Sequence, residues 1–121
     1  MIAVFDTCIL VDYLQGIKKA RTEMESYDEV RISLITWMEI MAGAGNEAES
    51  GILRRFLSGF RVMDVSMETA ETAVDLRRRH RIKIPDAIIW ATAKNSGFML
   101  VTRNTRDFPK KDPGIRVPYR L

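Results

Sequence analysis

Cysteine and histidine are almost absent from this chain. Cys8 is the single cysteine and His80 the single histidine among 121 residues, so no intrachain disulfide can form, and a zinc centre built on thiolate and imidazole ligands has no material. Any metal held here is therefore held by oxygen. Long apolar runs are missing as well. The longest, Met1–Phe5 and Ala87–Ala93, fall far short of the roughly 18 residues that a membrane-spanning helix needs, and no basic segment precedes an apolar one at the N-terminus. These absences predict a soluble cytoplasmic protein. Pro/Gly/Ser-rich linkers, low-complexity tracts and internal repeats are also lacking. With 46% apolar residues, the chain can fill one core but is too short for two. One domain is expected over residues 1–121.

Net charge is only +3, but the two signs are unevenly distributed. Residues 1–75 carry 7 Lys/Arg against 13 Asp/Glu, whereas residues 76–121 carry 12 against 3. The basic part includes Arg77, Arg78, Arg79, Arg81, Arg103, Arg106, Lys110 and Lys111. Such a stretch either attracts a polyanion or is simply a solvated helix end.

Ile2–Phe5 is a short apolar run that ends at Asp6 and reads as a buried strand. Helical spacing follows over Thr7–Gln15, through Ile9, Leu10, Tyr13 and Leu14, and Gly16 stops it. A charged helix over 18–26, a strand at Glu29–Ser33, helices over roughly 35–44 and Glu47–Ser58, and a strand at Arg61–Val65 come next. Ser66 is placed to cap a helix over 67–81. Asp86–Asn95 reads as a nearly all-apolar helix closed by Gly97, Phe98–Thr102 as a fourth strand, 104–108 as a turn, and Ile115–Val117 as a fifth strand. Short apolar strands alternate with amphipathic helices, and no two strands are close enough for a tight hairpin. This predicts an α/β fold, a mostly parallel sheet of four to five strands with helices on both faces. In such sheets, sites form beyond the carboxyl ends of the strands.

Acids sit at those ends. Asp6 follows the first strand, Glu39 lies in the helix entered from the second, Asp86 opens the apolar helix, and Asn104 and Asp107 follow the fourth strand. Each has a plain structural reading: Asp6 and Asp86 as N-caps, Thr36-Trp-Met-Glu39 as a capping box, and Asn104 and Asp107 as turn residues. Their joint placement at one predicted edge favours chemistry. Carboxylates gathered in one cleft remain ionised together only if a cation offsets their repulsion. All-oxygen ligation selects Mg²⁺ or Mn²⁺, ions that serve phosphoryl transfer.

Four segments, Val4-Phe-Asp6-Thr-Cys-Ile-Leu-Val-Asp-Tyr-Leu, Ile35-Thr-Trp-Met-Glu39-Ile, Ile84-Pro-Asp86-Ala-Ile-Ile-Trp-Ala-Thr-Ala and Val101-Thr-Arg-Asn104-Thr-Arg-Asp107-Phe, together resemble the acidic motifs of PIN domains, in order and spacing along nearly the whole chain. The last two are particularly similar to those of VapC-like toxins. The resemblance implies a metal-dependent endoribonuclease that cuts structured RNA such as tRNA or ribosomal RNA, is restrained by a cognate antitoxin, and forms a homodimer. It implies Asp6, Glu39 and Asp86 as the metal-binding acids. Many PIN domains carry Asp where Asn104 stands, so either Asn104 ligates as a neutral oxygen or Asp107 takes that place. Thr7 and Thr102 would hydrogen-bond near the metal, and Arg103 or Arg106 would contact phosphate or the antitoxin.

Two other readings stay open at this stage. One is a binding module for antitoxin or RNA with little catalysis. The other is a receiver-like or phosphatase-like α/β domain using Asp6 as phosphate acceptor, although the chain lacks the adjacent acids those domains use. Cys8 has no His partner and reads as a small apolar residue, His80 as a surface residue, and Trp37 and Trp90 as packing residues.

Overall fold

The computed structural model describes residues 1–121. Five strands and six helices follow one another as β1 (Ile2–Phe5), α1 (Thr7–Leu14), α2 (Lys18–Glu25), β2 (Glu29–Ser33), α3 (Leu34–Ala42), α4 (Glu47–Leu57), β3 (Arg61–Met63), α5 (Met67–His80), α6 (Ile84–Ser96), β4 (Met99–Val101) and β5 (Ile115–Arg116). The strands form one sheet in the order β3-β2-β1-β4-β5, and every neighbouring pair is parallel. The expected parallel α/β architecture is what the chain adopts.

Two-residue alternation along the strands divides the core. Val4 and Leu100 pack with Leu76, Ile82, Trp90 and Phe108 beneath α5 and α6. Ala3, Phe5, Ile32 and Val101 pack instead with Ile9, Leu10, Ala20, Ile40 and Leu57, from α1 to α4. Helices therefore cover both faces, as a sheet buried on both sides requires.

Helix starts set up the site. Ser33, the last residue of β2, caps α3 by accepting from the Ile35 N–H, so the capping box that is the plain structural alternative for Thr36 and Glu39 does not form. Thr36 lies inside the helix, three residues before Glu39 and on the same face. The helix expected from Asp86 begins two residues earlier, at Ile84, with Lys83 at its cap and Pro85 in its first turn. Proline is tolerated there because first-turn N–H groups have no intrahelical acceptor. Asp86 is thus the third residue of α6 rather than its cap. Before it, Arg81 ends α5 in the left-handed region, at φ 56°.

Candidate metal and active site

The register of β1 against β4 pairs Phe5 with Val101, and the Asp6 N–H donates to the Val101 carbonyl at 2.9 Å. The next residues, Asp6 and Thr102, consequently leave the sheet side by side at its carboxyl edge. Asp6 is 4% exposed. Its Oδ1 accepts from the Thr7 N–H at 2.8 Å, and its Oδ2 accepts from the Thr102 hydroxyl at 2.7 Å and from the Cys8 thiol at 3.5 Å. Burial raises the Asp6 pKa despite these donors, and the charge of Glu39 adds to the rise. Asp6 does cap α1, as its plain structural reading holds, but that bond occupies only one of its oxygens.

Glu39 reaches across to α1. The Thr7 hydroxyl donates to Glu39 Oε1 at 2.7 Å and lies 3.0 Å from the buried Thr36 hydroxyl. One hydroxyl proton cannot serve both partners, so with Glu39 taking it, Thr36 supplies the second bond. Asp86 comes to the same edge because α6 runs back against the parallel strands, with its N-terminus at their carboxyl ends. Burial pushes its carboxyl up to about 6, and the charges of Asp6, Asp107 and Glu39 push the same way against a smaller pull from Lys83. Four acids distant in sequence thus act on one another.

Beyond β4, the Asn104 N–H donates to the Thr102 hydroxyl at 3.0 Å. Asn104 Nδ2 donates to Asp107 Oδ2 at 2.8 Å, and the Asp107 N–H donates back to Asn104 Oδ1 at 3.2 Å. Asn104 spends both ends of its amide on Asp107, which retains a carboxylate oxygen and the charge felt at Asp86. Cys8, Arg103, Asn104, Thr105, Arg106 and Asp107 line a cavity of about 430 Å³ beside these acids. Another of about 410 Å³, between Trp90, Lys94, Phe98 and Gly114, opens at the amino ends of β4 and β5, away from every acid named here.

The donor set suits a hard, oxygen-preferring divalent ion. The Asp86 carboxylate accepts no hydrogen bond within the chain, and its pKa is raised first by burial and then by the charges of Asp6, Asp107 and Glu39. No three Asp, Glu, His or Cys side chains are preassembled at metal-binding distance. Asp6 and Glu39 accept instead from the Thr102 and Thr7 hydroxyls. Burial and the charge of Asp6 push the Cys8 thiol up to about 12, which disfavours its thiolate.

The arginines divide. Arg103 forks onto Asp12, with Nε to Oδ2 at 2.7 Å and Nη2 to Oδ1 at 2.8 Å, while Arg106 is exposed. Sequence reasoning missed Asp12. The only signal was a carboxylate within the apolar spacing of α1.

A parallel α/β domain with carboxylates from β1, α3, α6 and the β4 loop at one edge is the structural class defined by this geometry. The PIN-domain family model matches residues 3–112. Ribonuclease VapC10 of Mycobacterium tuberculosis is 31% identical over 112 residues, covering 86% of this chain and 84% of its own. A structure described as a toxin-antitoxin complex from Klebsiella pneumoniae superposes with a TM-score of 0.92 at 42% identity, over 98% of this chain and 99% of that one. DNA-bound VapBC from Salmonella typhimurium gives a TM-score of 0.77 at 26% identity, over 99% and 98%. The chain belongs to the PIN-domain family, among its VapC-like toxin-antitoxin ribonucleases.

Proposed function

We propose that this domain is an endoribonuclease dependent on Mg²⁺ or Mn²⁺ and the toxin partner of a cognate antitoxin. The observation that carries this reading is Asp86, a partly buried carboxylate without a hydrogen-bond donor, raised to about 6 by burial and by three other acids. A site that only stabilised the fold would gain nothing from such repulsion, whereas a divalent ion would offset it. Asp6, Glu39 and Asp86 would hold the ion, with Asp107 completing the set. When bound, it would supply an activated water and charge neutralisation on the phosphodiester.

The chain's own groups do the preparatory work. Thr102 and the Thr7 N–H hold Asp6 in one orientation, Thr7 and Thr36 hold Glu39, and Asn104 holds Asp107. The basic residues after position 76 offset the charge of a polyanionic strand drawn toward the acids. Structured RNA such as tRNA or ribosomal RNA is the proposed substrate, and the Klebsiella relative, solved as a toxin-antitoxin complex, supports a protein antitoxin here. A homodimer is part of the same reading. No helix is long and apolar enough to cross a membrane; a cytoplasmic site of action is part of the proposal.

The direct test is digestion of total cellular RNA with and without Mn²⁺, comparing the native protein with Asp6→Asn and Asp86→Asn. Metal-dependent cuts that vanish in both variants are expected. Cutting that persists in Asp6→Asn removes the proposed site, and RNA that is retained but uncut at every metal level leaves a binding module.

A further inference from the structure

Asp12 is a carboxylate in an unusual place. It lies on α1, about 1.7 turns beyond Asp6, and is 2% exposed. Isolated burial of that charge would be very costly. Two partners remote in sequence offset it. Arg103, from the loop after β4, donates through Nε and Nη2 to both Asp12 oxygens, and the buried Tyr119 hydroxyl donates to Oδ2 at 2.7 Å. Burial alone would raise the Asp12 pKa, but the Arg103 and Tyr119 hydrogen bonds outweigh it and hold the carboxyl below its ordinary value.

This arrangement leaves part of Arg103 unused. Its side chain is 33% exposed, Nη1 takes part in no hydrogen bond within the chain, and the residue lines the cavity beside Asp107 and Arg106. A fork locked onto a buried acid fixes the whole planar guanidinium, so the remaining donors keep one orientation without further entropic cost. The exposed Arg106 adds a second positive charge to the same cavity.

Arg103 is already a candidate phosphate contact by family resemblance, and we propose that Asp12 and Tyr119 are positioning residues that aim its guanidinium at a backbone phosphate of the RNA strand next to the acid cluster. This rests on the ribonuclease reading for the identity of the strand. The Asp12 fork orients the guanidinium, and Tyr119 restrains Asp12 on the side away from Arg103's second bond. Tyr119 thereby acts on the Arg103 guanidinium through Asp12, a residue of α1.

The test is binding of a fluorescent single-stranded RNA of about 20 nucleotides, measured in EDTA on an Asp86→Asn background at several salt concentrations. Arg103→Gln alone would strand the buried Asp12 charge, so the main variant is Asp12→Asn/Arg103→Gln, which replaces the ion pair by an amide pair. The slope of log affinity on log salt is expected to shrink by about 0.7, one single-strand phosphate contact, with affinity down roughly tenfold. A folded double variant with the parent slope overturns the phosphate contact. Asp12→Asn alone keeps the Arg103 charge, and the expectation is an unchanged slope with affinity lowered several-fold; affinity equal to the parent's overturns the positioning role. Should the double variant not fold, Arg103→Lys decides, because a point charge preserves the slope but not the affinity, and parent-like affinity counts against the fork. A reduced slope in a protein that cuts no RNA in Mn²⁺ leaves the phosphate contact standing without the nuclease. Metal-dependent cutting with an unaltered slope removes the contact alone.

Discussion

Thr102 donates its hydroxyl to Asp6 Oδ2 at 2.7 Å across 96 residues of sequence, and both side chains are buried. The pairing of Phe5 with Val101 makes this contact unavoidable, because the residue after each strand enters the same space. The hydroxyl also accepts from the Asn104 N–H, so one side chain joins the first acid to the loop carrying the last.

Replacing Thr102 by Val keeps the shape and removes that donor. Asp6 loses the strongest interaction opposing its raised pKa, and a hydrogen bond to a charged group is worth about 1.5–3 kcal/mol. The expected outcome is a loss of about that size in urea unfolding, together with Mn²⁺ affinity lowered roughly 10- to 100-fold, the range for lost outer-shell partners. Calorimetric Mn²⁺ titration equal to the native protein's would show that Thr102 does not support the ion site.

Asp86 predicts a trade between stability and function. Its raised folded pKa means that the native state binds more protons than the unfolded chain between about 4 and about 6, so its contribution to stability falls as pH rises through that window. At neutral pH the ionised side chain destabilises the fold. Asp86→Asn should therefore raise the melting temperature by about 2–5 °C near pH 7 in EDTA and change it little near pH 4. A melting temperature lowered at neutral pH would contradict the repulsion described here.

The same titration governs the ion. Ligands must be deprotonated to bind, so Mn²⁺ should stabilise the native protein above about pH 6 and progressively less below it. At a hundredfold excess over Kd the gain is about 2.7 kcal/mol. Differential scanning fluorimetry across pH checks this, and a metal effect as large near pH 5 as near pH 7.5 would count against Asp86 as a ligand.

The architecture was readable from the sequence because each strand is short and apolar and each is separated from the next by helical spacing. Ser66 and Gly97 mark helix ends where expected. Ambiguity arose where one spacing serves two structures. Thr36 and Glu39 are three apart both in a capping box and on one face of a helix, and only the cap at Ser33 decides between them. Asp86 reads as the opening of its helix, yet α6 already starts at Ile84 with Pro85 in its first turn. Asp12 was illegible for another reason: its partners lie 91 and 107 residues away, and nothing local distinguishes a paired carboxylate from a solvated one.

Thr36 tests the orientation of Glu39 without touching any acid directly. It is fully buried, and Thr36→Val is close to isosteric, so stability should fall by only about 1 kcal/mol, the net worth of an ordinary hydrogen bond. Thr7 would then be free to rotate away from Glu39. Metal-dependent RNA cleavage is expected to drop several-fold in kcat with little change in KM, because RNA affinity rests on basic groups elsewhere. A drop confined to KM would place Thr36 in substrate binding instead.

Glu23 offers a stability prediction independent of the active site. It is 7% exposed and accepts from Arg116 at 2.7 and 3.0 Å and from the Tyr27 hydroxyl at 2.9 Å. The Arg116 hydrogen bond is the largest influence on its pKa, which is lowered despite burial. An acid with a depressed folded pKa stabilises the protein above its unfolded value of about 4.5, and that contribution is lost as pH falls through the folded pKa. Arg116 is half exposed, so water can solvate it when the partner is removed, and Glu23→Gln should cost only about 1 kcal/mol at neutral pH. Below about pH 4 the native protein should lose stability more steeply than the variant, so that the two urea midpoints approach each other. Parallel midpoints from neutral to acid pH would mean that the Glu23–Arg116 pair, which ties α2 to the edge strand β5, contributes nothing to the acid sensitivity of the fold.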